Sequence, residues 1–430
     1  MWPFRRSSAF DVRSSQPYWL LRDGMGDAGP ALPGPLDCDV AIVGAGITGA
    51  LIADALVATG LRVLVLDQRE PALGSTAAST ALLQYENDTH LTDLAQMLGA
   101  ERATLAYRAC VRSFTLLEER FPELLAESDY QRRESVYLAA DEKAVDALRT
   151  EVAARRAIGI HVDWLDEAEL RRLHGCRRPC AIVSPLAATL DPLRFTRGVL
   201  SACVRHGVRV YSRARVERIE ELADALLLHV AGGANVRAGH VVVAAGYESM
   251  RFAPPVADID NTFALVTDPL ADTRRAAALP QIWESARPYL YLRGTRDGRV
   301  MLGGADVPFK NAMTREALLP RQVRKLAAAY EDLFGEKLPP IAHAWAGSFA
   351  TTPDGLPFIG RVPGWNPRLQ FALCYGGNGI TFAVHAGDIV RAGIEGREHP
   401  LEPVFGFGRS ETVRRGEQGG AGKPTAAVES

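Results

Sequence analysis

Excess charge of one sign is what this 430-residue chain most plainly lacks. Its 49 basic and 51 acidic residues leave a net charge of −2. No global field therefore draws it to DNA, RNA or anionic lipid, and no nucleic-acid partner is expected. Cysteines number six and are scattered, unlike the dense framework of a secreted disulfide scaffold. We read a reducing compartment from this, with cytoplasmic localisation as the expectation. Lysine is nearly as scarce, at Lys143, Lys310, Lys325, Lys337 and Lys423. The 39 glycines and 26 prolines fall well under the roughly 25–30% that marks low complexity. Long apolar runs are missing too. The best candidate, Val40 to Val57, is broken by glycines and Asp54, so no membrane span is expected. Arg5-Arg6 is not followed by the 7–15 apolar residues of an export signal, and residues 1–38 read as an exposed arm.

What is present begins as strand, turn, helix, strand. Val40-Ala41-Ile42-Val43 suits a buried parallel strand. Gly44 to Gly60 reads as turn and helix, with Gly49, Ala53 and Leu56 on one face and Asp54 outside it. Gly60 ends that helix, and Val63-Leu64-Val65-Leu66 is a second buried strand. Helices are expected over about 91–119 and 141–156, then from Asp191-Pro192 to about His206. Val208 to Tyr211 and Val241 to Ala244 return to strand character. From Asn261 to Gly303 the pattern alternates, as an antiparallel sheet with one exposed face would. A helix near 320–333 follows. Residues 409–430 lack periodicity and are expected to be disordered. Their Gly422-Lys423 pair is no P-loop, because Glu417 stands where a glycine is required and Pro424 replaces the hydroxyl.

Gly44-Ala45-Gly46-Ile47-Thr48-Gly49 is a G-x-G-x-x-G pattern placed between an apolar strand and a helix, the context that gives it meaning. The first glycine allows the turn, the second lets backbone approach a pyrophosphate, and the third lets helix and strand pack closely. The free amides and dipole of the helix N-terminus then face the anion. Asp67 ends the second strand, where a carboxylate accepts a ribose hydroxyl and repels a 2′-phosphate. FAD and NAD both fit these residues.

Further blocks carry a resemblance. They are Gly74-Ser75-Thr76-Ala77-Ala78-Ser79-Thr80-Ala81, then Val241-Val242-Val243-Ala244-Ala245-Gly246, then Thr352-Pro353-Asp354-Gly355-Leu356-Pro357-Phe358-Ile359-Gly360 with Gly376-Gly377-Asn378-Gly379-Ile380-Thr381. In this order the chain, from about Asp39 to Gly396, resembles the D-amino-acid-oxidase-like superfamily of FAD-dependent oxidoreductases, which includes glycine and sarcosine oxidases. The resemblance implies a non-covalent FAD. Gly44, Gly46, Ile47, Thr48 and Gly49 would hold it, with Asp67 and Gln68. Gly74, Ser75, Thr76, Thr80 and Ala81 form a second group, and Val216, Ala245 and Gly246 a third. Gly377, Asn378, Gly379, Ile380 and Thr381 complete the set, with the helix opened by Gly379 aimed at the flavin pyrimidine.

On the substrate side Tyr289, Tyr291 and Arg293 alternate along one strand and share a face. They are the candidate catalytic residues, against the plainer reading of a solvated sheet face. Trp283, Phe263 and Leu265 read as packing or pocket wall. The family's carboxylate-binding arginine matches Phe349 here, and the basic residue used by sarcosine oxidases matches Gln84. The lysine that activates oxygen matches Met301, and neither Gly347 nor 75–77 supplies a residue for covalent flavin attachment. His174, Cys176 and Cys180 match no familiar zinc spacing, Arg177 and Arg178 lie between them, and no metal is expected. His343 and His385 read as structural.

The expected fold is therefore α/β, a Rossmann-like FAD-binding domain (39–95, 190–255 and 345–396) interleaved with an antiparallel-sheet α+β substrate domain (96–189 and 256–344). The expected reaction is oxidation of a C–N bond in a small amine or amino-acid-like substrate, with hydride passing to flavin and the imine hydrolysing. Oxygen or a quinone- or dye-type acceptor would reoxidise the flavin. Oxidation of a 2-hydroxy acid or polyol, a non-catalytic flavin-binding assembly factor, and an NAD-dependent dehydrogenase stay open at this point.

Overall fold

In the computed structural model, which describes residues 12–26 and 28–409, the first apolar run becomes strand Leu36–Val43. It pairs in parallel with Val63–Leu66 on one side and Asn235–Val243 on the other. Arg209–Tyr211 and Leu369–Leu373 extend the parallel set at its two ends. Phe358–Arg361 closes one edge antiparallel, and an antiparallel meander of Val216–Glu221 and Leu226–Val230 hangs from Asn235–Val243, making eight strands. Val40–Val43 and Val63–Leu66 are buried at every position, as parallel strands covered on both faces must be.

The helix after the glycine turn, Ile47–Val57, is buried nearly all round rather than along one stripe. Helices Gly379–Ile394 and Pro192–Arg205 pack against it. Gly387 marks the closest crossing, because a Cβ there would lie 2.7 Å from the Ala55 side chain and 2.9 Å from the Leu51 carbonyl. Asp54 is compensated by Arg120 at 3.0 Å.

The second sheet has ten strands. Asp258–Thr267, Val300–Pro308 and Leu290–Gly294 run antiparallel in its middle, as the alternation predicts. Ile341–Thr351 flanks them on one side and Gln281–Glu284 on the other, with Gln131–Leu138 and Cys180–Thr189 beyond. Helix Ala312–Phe334 covers one face. Among the described residues, no helix is long and apolar enough to cross a membrane.

Several boundaries differ from the sequence reading. The span 91–119 is two helices, Leu91–Leu98 and Ala100–Arg120, broken at Gly99, whose φ of 88° no helix accommodates. The helix expected from Pro320 starts at Ala312, capped by the Asn311 side chain on the Thr314 amide, and carries Pro320 inside it. The expected exposed arm is partly buried. Arg13–Ser14 adds an edge strand to the second sheet, and Tyr18–Asp23 is a helix with Tyr18, Trp19 and Leu20 buried. Arg409, assigned to a disordered tail, is buried and ion-paired to Asp354 at 2.7 Å. The rest of that expectation, 410–430, lies outside the described residues, as do 1–11.

Candidate active site

One long cavity runs between the two sheets, from the ends of the parallel strands to the middle of the antiparallel one. Its first wall is the glycine turn. Gly44 sits at φ +114°, and a Cβ there would come 2.4 Å from the Ala244 carbonyl, so the two strand ends close against each other. At Gly49 a Cβ would lie 1.9 Å from the Gly44 carbonyl. Gly49 therefore works beneath the cavity, letting the helix start directly under the turn. Gly44, Gly46, Ile47 and Thr48 line the cavity itself. The first-turn amides of Ile47–Val57 have no partners within the helix; Thr76 Oγ1 accepts from Ile47 N at 3.0 Å, tying the turn to the next wall.

That wall contains Gly74, Ser75, Thr76 and Thr80, followed by Val216, Ala245 and Gly246. Asp67 and Gln68 line the far end. Asp67 already accepts the amides of Ala45 (2.7 Å) and Arg69 (2.8 Å), so its first task is to shape the turn. Burial pushes its carboxyl up to about 6 against the pull of those amides. Each oxygen keeps a second lone pair for a ligand hydroxyl. Beside it Arg69 forms a bidentate pair with Glu248 (2.8 and 2.9 Å), and Gln68 donates to the same carboxylate. The sequence reading missed Glu248, which lies two residues past Gly246 without any periodic signal.

Helix Gly379–Ile394 directs its N-terminus at the cavity, with Gly377, Gly379 and Ile380 on the wall. Asn378 and Thr381 are not on it. The Asn378 amide donates to the carbonyls of Gln84 (3.2 Å) and Glu86 (2.6 Å), and Thr381 Oγ1 to Gln84 (3.1 Å). Ala81 is buried behind the wall at φ +52°. These three support the site rather than line it. Cys374 also lines the cavity, but burial pushes its thiol up to about 12, leaving it protonated and a poor nucleophile.

The antiparallel sheet closes the other end. Tyr289 and Tyr291 line the cavity with ring centroids 5.7 Å apart. Gly303 makes room for this, since a Cβ there would meet the Tyr291 ring at 2.3 Å. Tyr291 shares a hydrogen bond with Thr262 (3.3 Å), and Tyr289 donates to Asp88 (3.4 Å). Trp283 lines the wall while stacked on Tyr137 at 3.9 Å. Arg293 departs from expectation. It points past the cavity and donates to the Thr80 (2.7 Å) and Leu190 (3.3 Å) carbonyls with its guanidinium over Trp19. Burial lowers it to about 9. Met301, opposite Arg293 in register, is also fully buried and off the wall. Phe349 and Gln84 are on it.

The carboxylate that reasoning from sequence missed is Asp306. It faces the tyrosine end of the cavity, and one of its oxygens is buried without a hydrogen-bond partner. Burial pushes the group up to about 7, with Asp260 and Asp88 adding to the rise. Asp306 follows Gly303 and Gly304 at the end of an alternating stretch, where the pairing with Asp258–Thr267 shifts register and Ala305 sits at φ +55°, so alternation alone does not give its direction. A smaller cavity opens beyond Asp306, Tyr289 and Phe349, and the exposed Arg287 borders it.

The glycine cradle, the helix N-terminus and the hydroxyl-lined wall suit a dinucleotide. Comparison with known proteins identifies which one. The gamma-glutamylputrescine oxidoreductase of Escherichia coli K12 is 24% identical, over 88% of this chain and 90% of that protein. The tRNA 5-methylaminomethyl-2-thiouridine biosynthesis bifunctional protein MnmC of Maricaulis maris is 28% identical over 96% of this chain and 64% of that longer protein. The glycine oxidase of Geobacillus kaustophilus superposes with a TM-score of 0.72 at 20% identity, covering 86% of this chain and 98% of that one. Residues 39–392 match the DAO family model, FAD dependent oxidoreductase, so the chain belongs to that family of FAD-dependent enzymes.

Proposed function

We propose that the enzyme oxidises the C–N bond of an amine or N-substituted amino acid, and that the substrate sits between the tyrosine pair and Asp306. The carrying observation is the make-up of that end of the cavity. Phe349 and Gln84, matched to the family's two carboxylate-binding positions, line the cavity, and Asp306, which keeps a bond with Thr262 but has one buried oxygen without a partner, faces the same space. Arg287 is exposed, 4.6 Å over the Tyr289 ring, so a substrate carboxylate buried beyond its reach would cost several kcal/mol, on the order of the ion-pair penalty. A protonated amine is drawn instead to Asp306. The E. coli relative, named for a polyamine conjugate, agrees with this class.

In this reading the glycine turn and the 74–80 wall hold the pyrophosphate, Asp67 a ribose hydroxyl, and Val216 the adenine. The Gly379 helix end stabilises charge at the pyrimidine. Bound FAD supplies the hydride acceptor. Asp306 takes the proton from the arriving ammonium, leaving the neutral amine whose adjacent carbon can release hydride. Tyr289 and Tyr291 fix the amine's orientation. Loss of hydride leaves an iminium carbon, and water adds there to release the carbonyl product and the second amine. The parallel-sheet unit serves as the cofactor domain and the antiparallel unit as the substrate domain.

An anaerobic panel tests this through bleaching of flavin absorbance. Secondary amines, N-alkyl amino acids and polyamine conjugates should reduce the flavin rapidly, and glycine and D-alanine slowly. Rapid reduction by glycine or D-alanine would overturn the reading and make Arg287 the carboxylate anchor.

A further inference from the structure

The wall segment Leu73–Thr80 presents Ser75, Thr76 and Thr80 to the cavity. Four of its backbone carbonyls are held by side chains from distant parts of the chain. Arg13 Nε donates to Leu73 (2.9 Å), Trp345 Nε1 to Ala78 (2.8 Å), Trp19 Nε1 to Ser79 (2.7 Å) and Arg293 Nε to Thr80 (2.7 Å). The donors also support one another. The Arg293 guanidinium lies 5.3 Å over the Trp19 ring, and both residues are about 97% buried, at 3% and 2% exposure. Val12, just before Arg13, is itself part of the cavity wall, and its carbonyl accepts the Ser348 amide at 2.8 Å. Arg22 then anchors the short helix, pairing with Asp23 and Asp129 at 3.0 Å and with Asp191.

We propose that Arg13 and Trp19, which precede the family match at residue 39, belong to the cofactor site: with Arg293 and Trp345 they brace the 73–80 segment from behind and set how tightly FAD is retained. The physical reason is preorganisation. The segment is made of small residues with a single four-residue helical turn, Ser75–Ala78, so unbraced it would have to be ordered when FAD binds. Ordering costs conformational entropy for every residue fixed, and a wall already held in place avoids that cost at the moment of binding. Trp19 and Arg13 are positioning residues here, since they touch the wall and leave the cofactor to it.

The test is FAD titration of the apoprotein, followed by flavin fluorescence, for Trp19→Phe and Arg13→Gln. Trp19→Phe keeps the ring but leaves the Ser79 carbonyl without its donor, and a roughly 5- to 50-fold weaker Kd is expected from one such lost bond. Hydrogen exchange at 73–80 in the apoprotein should quicken in both variants by more than any fall in apoprotein Tm accounts for. Tyr18→Phe is the control. Its hydroxyl bonds Asp297 (2.9 Å) rather than the wall, so its Kd should match the wild type. Unchanged Kd in Trp19→Phe and Arg13→Gln would overturn the proposal. So would equal weakening in Tyr18→Phe, or weakening that only follows a fall in apoprotein Tm. If Trp19→Phe fails to fold, Arg13→Gln at the segment's start decides by the same readings.

Discussion

At Asp306 stability and chemistry pull in opposite directions. Burial pushes its carboxyl up to about 7, from the 3.8 of a free aspartate. Between those values the unfolded chain has already released its proton, so this group's contribution to stability falls as pH rises from about 4 to 7. Asp306→Asn should therefore raise Tm at pH 8 and leave it unchanged near pH 4, as differential scanning fluorimetry can show. The same variant should lower kcat/KM by about 10²–10⁴-fold if the carboxyl is the base. The wild-type limb that rises through pH 7 should vanish with it. Gly46 offers a second residue-scale test. A Cβ there would lie 3.1 Å from Thr76 Oγ1, and the branched side chain of Gly46→Val would project where backbone must meet the pyrophosphate. That variant should purify without yellow colour, read at 450 nm. The glycines were legible from the sequence because their spacing follows from local geometry. Asp306 was not, because a register shift beside it breaks the alternation that would give its direction.

Among elements, the C-terminal turn is tied in more firmly than its composition suggests. Arg409 reaches Asp354 through two nitrogens (2.7 and 3.2 Å), donates to the Leu356 carbonyl and lies 3.8 Å over the Phe358 ring. Both charged side chains are fully buried. Arg409→Met should cost about 3–5 kcal/mol, since it strands a buried carboxylate; urea unfolding measures it, and Asp354→Asn in the same background should recover part of the loss. Chain ending at Gly408 should behave like Arg409→Met. Composition misled here because one arginine in a charged, glycine-rich stretch carries no local mark of its partner. Strands Val63–Leu66 and Asn235–Val243 and the helix Pro192–Arg205 were legible, each from a local run or cap. The break at Gly99 was passed over because the apolar spacing continues across it.

Over the whole molecule, the site exists only where the two sheets meet, and this shapes electron transfer as well as binding. No lysine among the described residues lines the cavity, and Met301, matched to the family's oxygen-activating lysine, is buried in the core. A cation near the reduced flavin stabilises the superoxide-like state, so the lack of a lysine there favours slow reaction with oxygen. Stopped-flow mixing of photoreduced enzyme with air-saturated buffer should show reoxidation slower than with a quinone or dye. Reoxidation by oxygen as fast as by the quinone would contradict this account. Acid precipitation should leave the yellow colour in the supernatant, since Gly347 and Cys374 on the wall give flavin no reactive attachment point.

Sequence alone determined the cofactor half: the glycine turn, the strands around it and the helix at Gly379 are set by neighbours a few residues apart, and local sterics and dipoles act over that range. Beyond Tyr289 and Tyr291, tertiary structure decided the other end of the cavity. Arg293 shares a strand face with Tyr289 and Tyr291, yet it turns to Thr80, Leu190 and Trp19 because those carbonyls and that ring reach it from residues far away in the chain. Part of the arm that reads as exposed is buried for the same reason: Trp19 finds its partner at Ser79, and contacts of that separation form only once both sheets are in place.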